Sequence, residues 1–122
     1  MIKKTTWRPL PDFLTIKKSK IEGLGVFATR DLPKGFDLGI SHIFDERFPD
    51  GYIRLPLGGF INHHEIPNCK AILAEEDNEM GKLKHIRIEA IKTVTVGQEI
   101  TIKYIINKLE NPNWEFEYEI SQ

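Results

Sequence analysis

Polar side chains that can bind metals or move protons follow one another in the segment Asn62-His63-His64-Glu65. Imidazoles together with a carboxylate would suit zinc. The spacing argues against zinc, because His63 and His64 point to opposite sides of an extended chain and no H-E-x-x-H helix is present. The only cysteine, Cys69, cannot complete a thiolate site and leaves no partner for an intrachain disulfide. We therefore expect no metal in this protein.

The segment Gly23-Leu24-Gly25 has the small residues that let a backbone approach a ligand closely. It is not a dinucleotide fingerprint, since Ala28 stands where G-x-G-x-x-G needs its third glycine and no parallel β-α-β unit follows. Taken alone, these three residues are most simply a bulge or a tight corner. The simplest structural interpretation of Asn62 is a turn, and that of Tyr104 is a core side chain at the end of a strand.

Short strands must position these residues, because no window shows a long amphipathic helix and several show apolar residues in alternation. The alternation predicts a mostly β protein. Strands are expected at residues 13–18, 26–28, 36–44, 71–74, 86–89 and 100–104. Turns or loops are expected at residues 31–35, at 45–59 with an Asp50-Gly51 hairpin signal, at 75–82 and at 93–98 with Gly97.

The composition is that of an ordinary globular domain, with 122 residues, 40% hydrophobic and 29% charged. This length predicts one domain that folds without disulfides. The formal net charge of −1 provides no global field for nucleic acid or an anionic membrane. No apolar run has the length of a signal peptide or a membrane span. We expect a soluble intracellular protein, cytoplasmic if bacterial, that binds neither nucleic acid nor membrane.

Read in order, three segments resemble the motifs of SET-domain protein lysine methyltransferases. They are Gly-x-Gly followed by Val-Phe-Ala, then FINHxxxPNC at residues 60–69, and then GQEITIKY at residues 97–104, with Ala-Ile-Lys at 90–92 before the last. The small size resembles the minimal viral and bacterial members, which lack zinc-binding flanking regions. The resemblance implies a single SET domain over residues 1–122, with an N-terminal arm at 1–12, a core at 13–104 and a C-terminal flanking segment at 105–122.

The resemblance implies a β-clip-like SET fold of several short sheets, in which a threaded C-terminal segment brings the motifs together. It also implies S-adenosyl-L-methionine as the cofactor. By that resemblance, the backbone of Gly23, Leu24 and Gly25 would approach the cofactor. The amide of Asn62 would bind its methionine part and the backbone of His63 its adenine. An amide offers both a donor and an acceptor to the amino and carboxylate groups of that ligand.

Three aromatic residues near the C-terminus receive roles from the same resemblance. Tyr104 would be the catalytic tyrosine and would also contact the cofactor. Trp114, or Phe116, would stack on the adenine or line the lysine channel, although packing in the core explains both equally well. Tyr52, in the predicted hairpin, is a second channel residue by expectation, and its alternative is a side chain packed on the surface.

The implied reaction is an in-line displacement, in which a neutral lysine amine attacks the methyl group of a sulfonium. A lysine with a pKa of about 10.4 is only about 0.04% neutral at pH 7, which corresponds to roughly 4.6 kcal/mol for deprotonation. A narrow apolar channel and the positive sulfonium both favour the neutral amine. The hydroxyl of Tyr104 and nearby carbonyls would orient the amine and the methyl group, so that catalysis rests on alignment and electrostatics.

Some positions depart from the pattern of the family. His64 and Glu65 replace a common Ser-Cys pair, Lys103 replaces aspartate, and Glu89 stands where an aromatic residue is frequent. These departures motivate a second hypothesis, a catalytically inactive SET-fold module that binds a peptide or a partner protein. The presence of both Asn62 and Tyr104 favours the enzyme. We expect a protein or peptide lysine as substrate and a monomer or weak homodimer; the sequence identifies neither the substrate nor the number of methyl groups transferred.

Overall fold

The computed structural model describes residues 8–103, and this part of the chain is mostly β, as the alternation predicts. One short helix accompanies the strands. The elements in chain order are β1 (Leu14–Lys18), β2 (Leu24–Ala28), β3 (Asp37–Phe44), β4 (Tyr52–Arg54), α1 (Pro56–Phe60), β5 (Asn62–His63), β6 (Cys69–Asp77), β7 (Gly81–Ala90) and β8 (Thr101–Ile102). No helix within these residues is long and apolar enough to cross a bilayer.

The strands form several small sheets, which confirms the predicted fold class. The largest sheet is antiparallel and has the strand order β4-β3-β7-β6. β1 and β2 form a separate antiparallel pair, and β5 and β8 form a parallel pair. Because β5 and β8 are far apart in the chain, only tertiary structure can bring them together.

The core lies on one face of the largest sheet. Ile86 and Ile88 of β7 are buried, whereas Arg87 and Glu89 between and after them are partly exposed. This is the alternation predicted for a half-buried strand. The other buried apolar residues come from nearly every element: Leu14, Val26, Ala28, Leu32, Leu38, Leu57, Cys69, Ala71, Ala90, Val94, Ile100 and Ile102.

Glycine turns join the strands where the sequence predicts them. Gly51 has a φ of 81° in the hairpin between β3 and β4, and Gly97 has a φ of 88° before the last described segment. A side chain is strained at such angles, so glycine is the natural residue there. The predicted turn at residues 31–35 is also present: the Phe36 N–H donates to the carbonyl of Pro33 at 3.0 Å, and Gly35 has a φ of 87°.

The hairpin of β6 and β7 is longer than the sequence predicts. A turn was expected over residues 75–82, but β6 continues to Asp77 and β7 begins at Gly81. The carboxylate of Asp77 accepts hydrogen bonds from the backbone N–H groups of Glu79 and Met80, and it also pairs with Arg87 at 2.7 Å. These contacts close a tight turn after a polar strand, so polarity alone is a poor guide to where this strand ends.

Helix α1 was not predicted, since residues 45–59 indicate only loop and hairpin. Its sequence contains Gly58 and Gly59, which are poor helix formers. A Cβ atom on Gly58 would lie 2.3 Å from the backbone oxygen of Ser41 in β3. Packing against β3 therefore accounts for both the helix and its glycine, because only a residue without a side chain fits this approach.

His42 is buried beside this helix, on β3. Its Nδ1 lies 2.9 Å from the hydroxyl oxygen of Ser41, which itself donates to the carbonyl of Ile86. The Nε2 atom of His42 is buried without a hydrogen-bond partner within residues 8–103. Burial, and secondarily the positive charge of Arg54, lower the pKa of His42 to about 4. The imidazole is therefore neutral at pH 7.

Candidate functional site

The segment after Gly97 joins the strand that follows the glycine motif. The Ala28 N–H donates to the carbonyl of Gln98 at 3.0 Å, and the Ile100 N–H donates to that of Val26 at 2.7 Å. Phe27 and Glu99 form an antiparallel bridge between them. β2 is thus bonded to β1 along one edge and to this segment along the other, which brings Glu99 next to the glycine motif.

Two residues later the same segment pairs with the Asn-His motif. In the parallel pair of β5 and β8, Asn62 lies opposite Thr101 and His63 lies opposite Ile102. The His64 N–H extends the pairing by donating to the carbonyl of Ile102 at 3.0 Å. The last described segment therefore contacts both other motifs, which are separated from it in the sequence.

The side chain of Asn68 forms hydrogen bonds with the backbone of this segment, at Glu99 and Thr101. Its side-chain Nδ2 donates to the carbonyl of Glu99 at 2.8 Å, and its Oδ1 accepts from the backbone N–H of Thr101 at 2.9 Å. Its own backbone N–H donates to the hydroxyl of Thr101 at 3.2 Å. The sequence predicts only a turn at Pro67-Asn68. In the structure, the Asn68 amide provides the hydrogen-bond partners that a neighbouring strand would otherwise provide for the backbone groups of Glu99 and Thr101.

The Asn62 side chain lies among several hydrogen-bond acceptors beside the glycine motif. Its Nδ2 lies 2.8 Å from a carboxylate oxygen of Glu99 and 3.1 Å from the hydroxyl oxygen of Ser19. The same nitrogen lies 3.1 Å from the carbonyl of Glu22 and 3.2 Å from that of Leu24. Asn62 is therefore part of a strand and of a tertiary cluster, not of a local turn.

Glu99 and Ser19 belong to this cluster, and neither was singled out from the sequence. The Ser19 hydroxyl lies 2.8 Å and 2.9 Å from the two carboxylate oxygens of Glu99. Glu99 belongs to the third motif, so the sequence places it near the site. The residues around it in the sequence do not indicate which distant side chains it contacts. Ser19 follows β1 and has no signal of its own.

The two glycines of the motif have different structural roles. Gly23 has a φ of 47°, and no atom lies within 4 Å of the place where its Cβ would be. At Gly25 a Cβ would lie 2.3 Å from Oε2 of Glu99 and 3.2 Å from Nδ2 of Asn62. Gly23 therefore satisfies the backbone angle, whereas Gly25 leaves room for the contact between Glu99 and Asn62.

The two histidine side chains after Asn62 form hydrogen bonds within their own segment. The His63 ring lies 2.9 Å from the carboxylate of Glu65, and this hydrogen bond lowers the pKa of Glu65. The ring of His64 accepts the N–H of Ile66 at 3.0 Å. Burial raises the pKa of the Cys69 thiol to about 12, so that it stays protonated. Within residues 8–103, no three histidine, cysteine or acidic side chains are arranged to hold a metal.

A cavity of about 390 Å³ lies beside the cluster, within the size range of small-ligand sites. Glu99 and Asn68 form part of its wall, and the side chains of Ile21 and Ile66 border it. Ile21 is 45% exposed and Ile66 is 74% exposed, so both present apolar surface at this cavity. A flat apolar group could pack against that surface.

Tyr52 and Glu89 lie opposite the two ends of β3. The register places Tyr52 opposite Phe44 and Glu89 opposite Asp37. At about 3.3 Å per residue, these ends are roughly 20 Å apart. Tyr52 stacks edge-on to Phe44 and to the buried His42 ring. Its place in a substrate channel stays a prediction.

Three predicted site residues, Tyr104, Trp114 and Phe116, lie outside the described residues. The predicted strand at residues 100–104 is described only as β8, Thr101–Ile102. That strand ends two residues before Tyr104. Of the residues predicted to bind the cofactor, Gly23, Leu24, Gly25, Asn62 and His63 are described, and all except the His63 side chain lie at or beside the same cluster.

Solved structures of other proteins have a similar fold. The fold is similar to the crystal structure of a Plasmodium falciparum protein provisionally named a histone methyltransferase, with a TM-score of 0.60 and 22% sequence identity. That match covers 75% of this chain and 96% of the other. The fold is also similar to apo ctPRC2 with mutations in Ezh2, with a TM-score of 0.57 and 21% identity, over 85% of this chain and 16% of that one.

At these identities the structural similarity concerns the fold alone. No curated protein matches the sequence. The family model for the SET domain matches residues 36–105, which is more than half of the chain. The matched region contains both the Asn-His motif and the segment that joins it to the glycine motif. This chain therefore belongs to the SET-domain family.

Proposed function

We propose that this protein transfers a methyl group from S-adenosylmethionine to the side-chain amine of a lysine in a protein substrate. The single observation that supports the proposal is the convergence of the three motifs. Asn62 of the second motif contacts Glu99 of the third, and its amide lies 3.2 Å from the carbonyl of Leu24 in the first. Segments this distant in sequence form one site only because β8 lies beside β5.

The residues present suit this cofactor. Asn62 leaves its Oδ1 without a hydrogen-bond partner in the described part of the chain, and a carbonyl oxygen is a good acceptor for the α-ammonium. Ile21 and Ile66 offer apolar surface to an adenine ring at the neighbouring cavity. By the family resemblance, the His63 backbone binds the adenine, and the glycine motif lies against the rest of the cofactor.

The cofactor, when bound, supplies a methyl group on a positively charged sulfur. The chain has to bind it, hold the lysine amine in line with that methyl group and keep water away. We assign the orientation of the amine to the hydroxyl of Tyr104, which follows β8 by two residues. Such alignment accounts for catalysis without a covalent enzyme intermediate. The lysine must lose its proton first, and an apolar channel makes that loss easier.

Two measurements test the proposal. Calorimetric titration with S-adenosylmethionine should show saturable binding to the full chain. Incubation with unlabelled S-adenosylmethionine and a library of lysine-containing peptides, followed by mass spectrometry, should add about 14 Da, the mass of a methylene unit, to a lysine. Binding of peptide without methyl transfer would favour the inactive peptide-binding module. Failure to bind the cofactor at millimolar concentration would contradict the enzyme.

A further inference from the structure

The orientation of the Asn62 amide is fixed by its surroundings. Its Nδ2 faces the Glu99 carboxylate and the carbonyls of Glu22 and Leu24, all of which accept hydrogen bonds but cannot donate them. If the amide were turned over, its carbonyl oxygen would face these acceptors and lose every one of these bonds. The NH₂ group therefore points inward, and Oδ1 points away from the cluster.

Glu99 makes the shortest of these contacts, at 2.8 Å, and Ser19 holds Glu99 in place. The Ser19 hydroxyl contacts both carboxylate oxygens, and it also accepts the backbone N–H groups of Ile21 and Glu22 at 2.9 Å and 3.3 Å. No basic side chain within residues 8–103 forms an ion pair with Glu99. The Glu99 carboxylate instead forms hydrogen bonds with Ser19 and Asn62, which lie in two other segments of the chain.

We propose that Glu99, held by Ser19, is a positioning residue that keeps Oδ1 of Asn62 turned toward the ligand and thereby selects a cofactor with a primary ammonium group. This inference rests on the proposed function. An amide oxygen attracts an ammonium, which only donates hydrogen bonds, and repels a carboxylate, which only accepts them. Without the Glu99 contact, the amide is freer to turn its NH₂ group outward. An outward NH₂ group would favour a carboxylate over an ammonium.

Gly25 is needed for the same contact between Glu99 and Asn62. The space that its Cβ would take is filled by the end of the Glu99 side chain and by Nδ2 of Asn62. The second glycine of the motif thus permits the Glu99 contact directly, in addition to any approach of its backbone to the ligand. Three segments, β2, β5 and the one preceding β8, must be correctly paired for this contact to form.

The test compares two ligands on several variants of the full chain. The ligands are S-adenosylmethionine and its deamino analogue, in which hydrogen replaces the α-ammonium. The variants are Glu99→Ala, Glu99→Gln, Ser19→Ala and the control Glu46→Ala, which removes an exposed charge from the turn after β3. Dissociation constants are measured by calorimetry, and the melting temperature of each variant without ligand reports its stability.

We expect Glu99→Ala to weaken S-adenosylmethionine about tenfold while the affinity of the deamino analogue stays within about twofold. Glu99→Gln should restore most of the affinity, since its amide oxygen can still accept from Asn62. Ser19→Ala should have a smaller effect of the same selective kind, and Glu46→Ala should have none. A purely structural Glu99 would weaken both ligands equally, and this result would overturn the proposal.

Two further outcomes are distinguishable. If Glu99→Gln is as weak as Glu99→Ala, the charge of Glu99 acts on the ligand directly, and positioning through Asn62 is wrong. If the unmodified chain binds no S-adenosylmethionine, the proposed function fails and the selection of an ammonium fails with it. In that case, NMR spectra of the ligand-free protein test the orientation of the Asn62 amide by itself. The Asn62 NH₂ protons should exchange slowly and lose that protection in Glu99→Ala; unchanged protection would refute the contact.

Discussion

The side chain of Asn68 bonds to the backbone N–H of Thr101 at 2.9 Å, although 33 positions separate the two residues in the sequence. Through the same amide, Asn68 also donates to the carbonyl of Glu99. Both backbone groups belong to the segment that carries the third motif. A single side chain thus ties that segment beside β5, where Asn62 and His63 lie.

We predict that Asn68→Ala destabilises the fold by about 2 to 3 kcal/mol, since it removes two hydrogen bonds and leaves two partly buried backbone groups unpaired. Urea denaturation of the purified chain measures this loss. Asn78→Ala is a matched control, because Asn78 is exposed in the turn between β6 and β7. Equal midpoints for the two variants would show that Asn68 does not hold the segment.

Gly25→Ala should displace Glu99 from Asn62, because its Cβ would overlap the carboxylate oxygen. The Glu99 side chain is flexible at that end, so we expect a folded variant that is less stable by roughly 1 to 3 kcal/mol. Adding Glu99→Ala to Gly25→Ala should recover part of this loss by making space. Gly59→Ala is the control, since no atom lies within 4 Å of its Cβ. Thermal melts of the four proteins decide, and a double variant no more stable than Gly25→Ala would argue against the overlap.

Asn62→Ala should weaken binding of S-adenosylmethionine by about 10 to 150-fold, which corresponds to about 1.5 to 3 kcal/mol for a lost hydrogen bond to a charged group. Calorimetry on the folded variant provides the affinity, and circular dichroism confirms the fold. Asn78→Ala again serves as the control. An unchanged affinity in a folded Asn62→Ala protein would remove Asn62 from the cofactor site.

The buried His42 should make stability depend on pH. Its pKa is lowered to about 4 in the folded protein and lies near 6.5 in the unfolded chain, so the unfolded state binds the proton more readily. Stability is therefore complete above about pH 6.5 and falls as the pH drops toward 4, by an amount on the order of 3 kcal/mol. His42→Asn should remove this slope, whereas His64→Asn, at an exposed histidine, should retain it. Urea midpoints measured from pH 4 to 7 test the prediction; a slope unchanged in His42→Asn would contradict it.

Tyr104→Phe should keep the fold and most cofactor binding but reduce methyl transfer by about 100-fold or more. The ring is retained, and only the orienting hydroxyl is lost, which typically costs a few kcal/mol of barrier in a desolvated site. The rate per folded molecule against a lysine peptide library measures the effect. If Tyr104 only packs in the core, the change costs about 1 kcal/mol of stability and leaves the rate nearly intact.

Local patterns in the sequence determined many of the strands and turns. Gly51 and Gly97 occupy turns with positive φ, and Ile86 and Ile88 face the core from the alternating strand β7. These features could be predicted because backbone angles and the two-residue period depend on few neighbours. The order of three short motifs was also sufficient to indicate the SET family, which the family-model match to residues 36–105 confirms.

Features that depend on distant packing were missed. Helix α1 forms where Gly58 meets the Ser41 carbonyl, and β6 continues to Asp77 because that side chain pairs with Arg87 and closes the next turn. In both places the local sequence favours a loop. Contacts with a neighbouring strand outweigh that preference, since intrinsic propensities are weak beside packing.

By itself, the sequence determined which residues belong to the motifs of the candidate site, but only tertiary structure decided how they meet. Glu99 reaches Asn62 across 37 positions, and Ser19 reaches Glu99 across 80. A hydrogen bond needs its two atoms within a few tenths of an ångström of the correct separation. The pairing of β8 with β5, and of the preceding segment with β2, sets these separations. No local pattern encodes them, because each depends on the register of strands formed by remote parts of the chain.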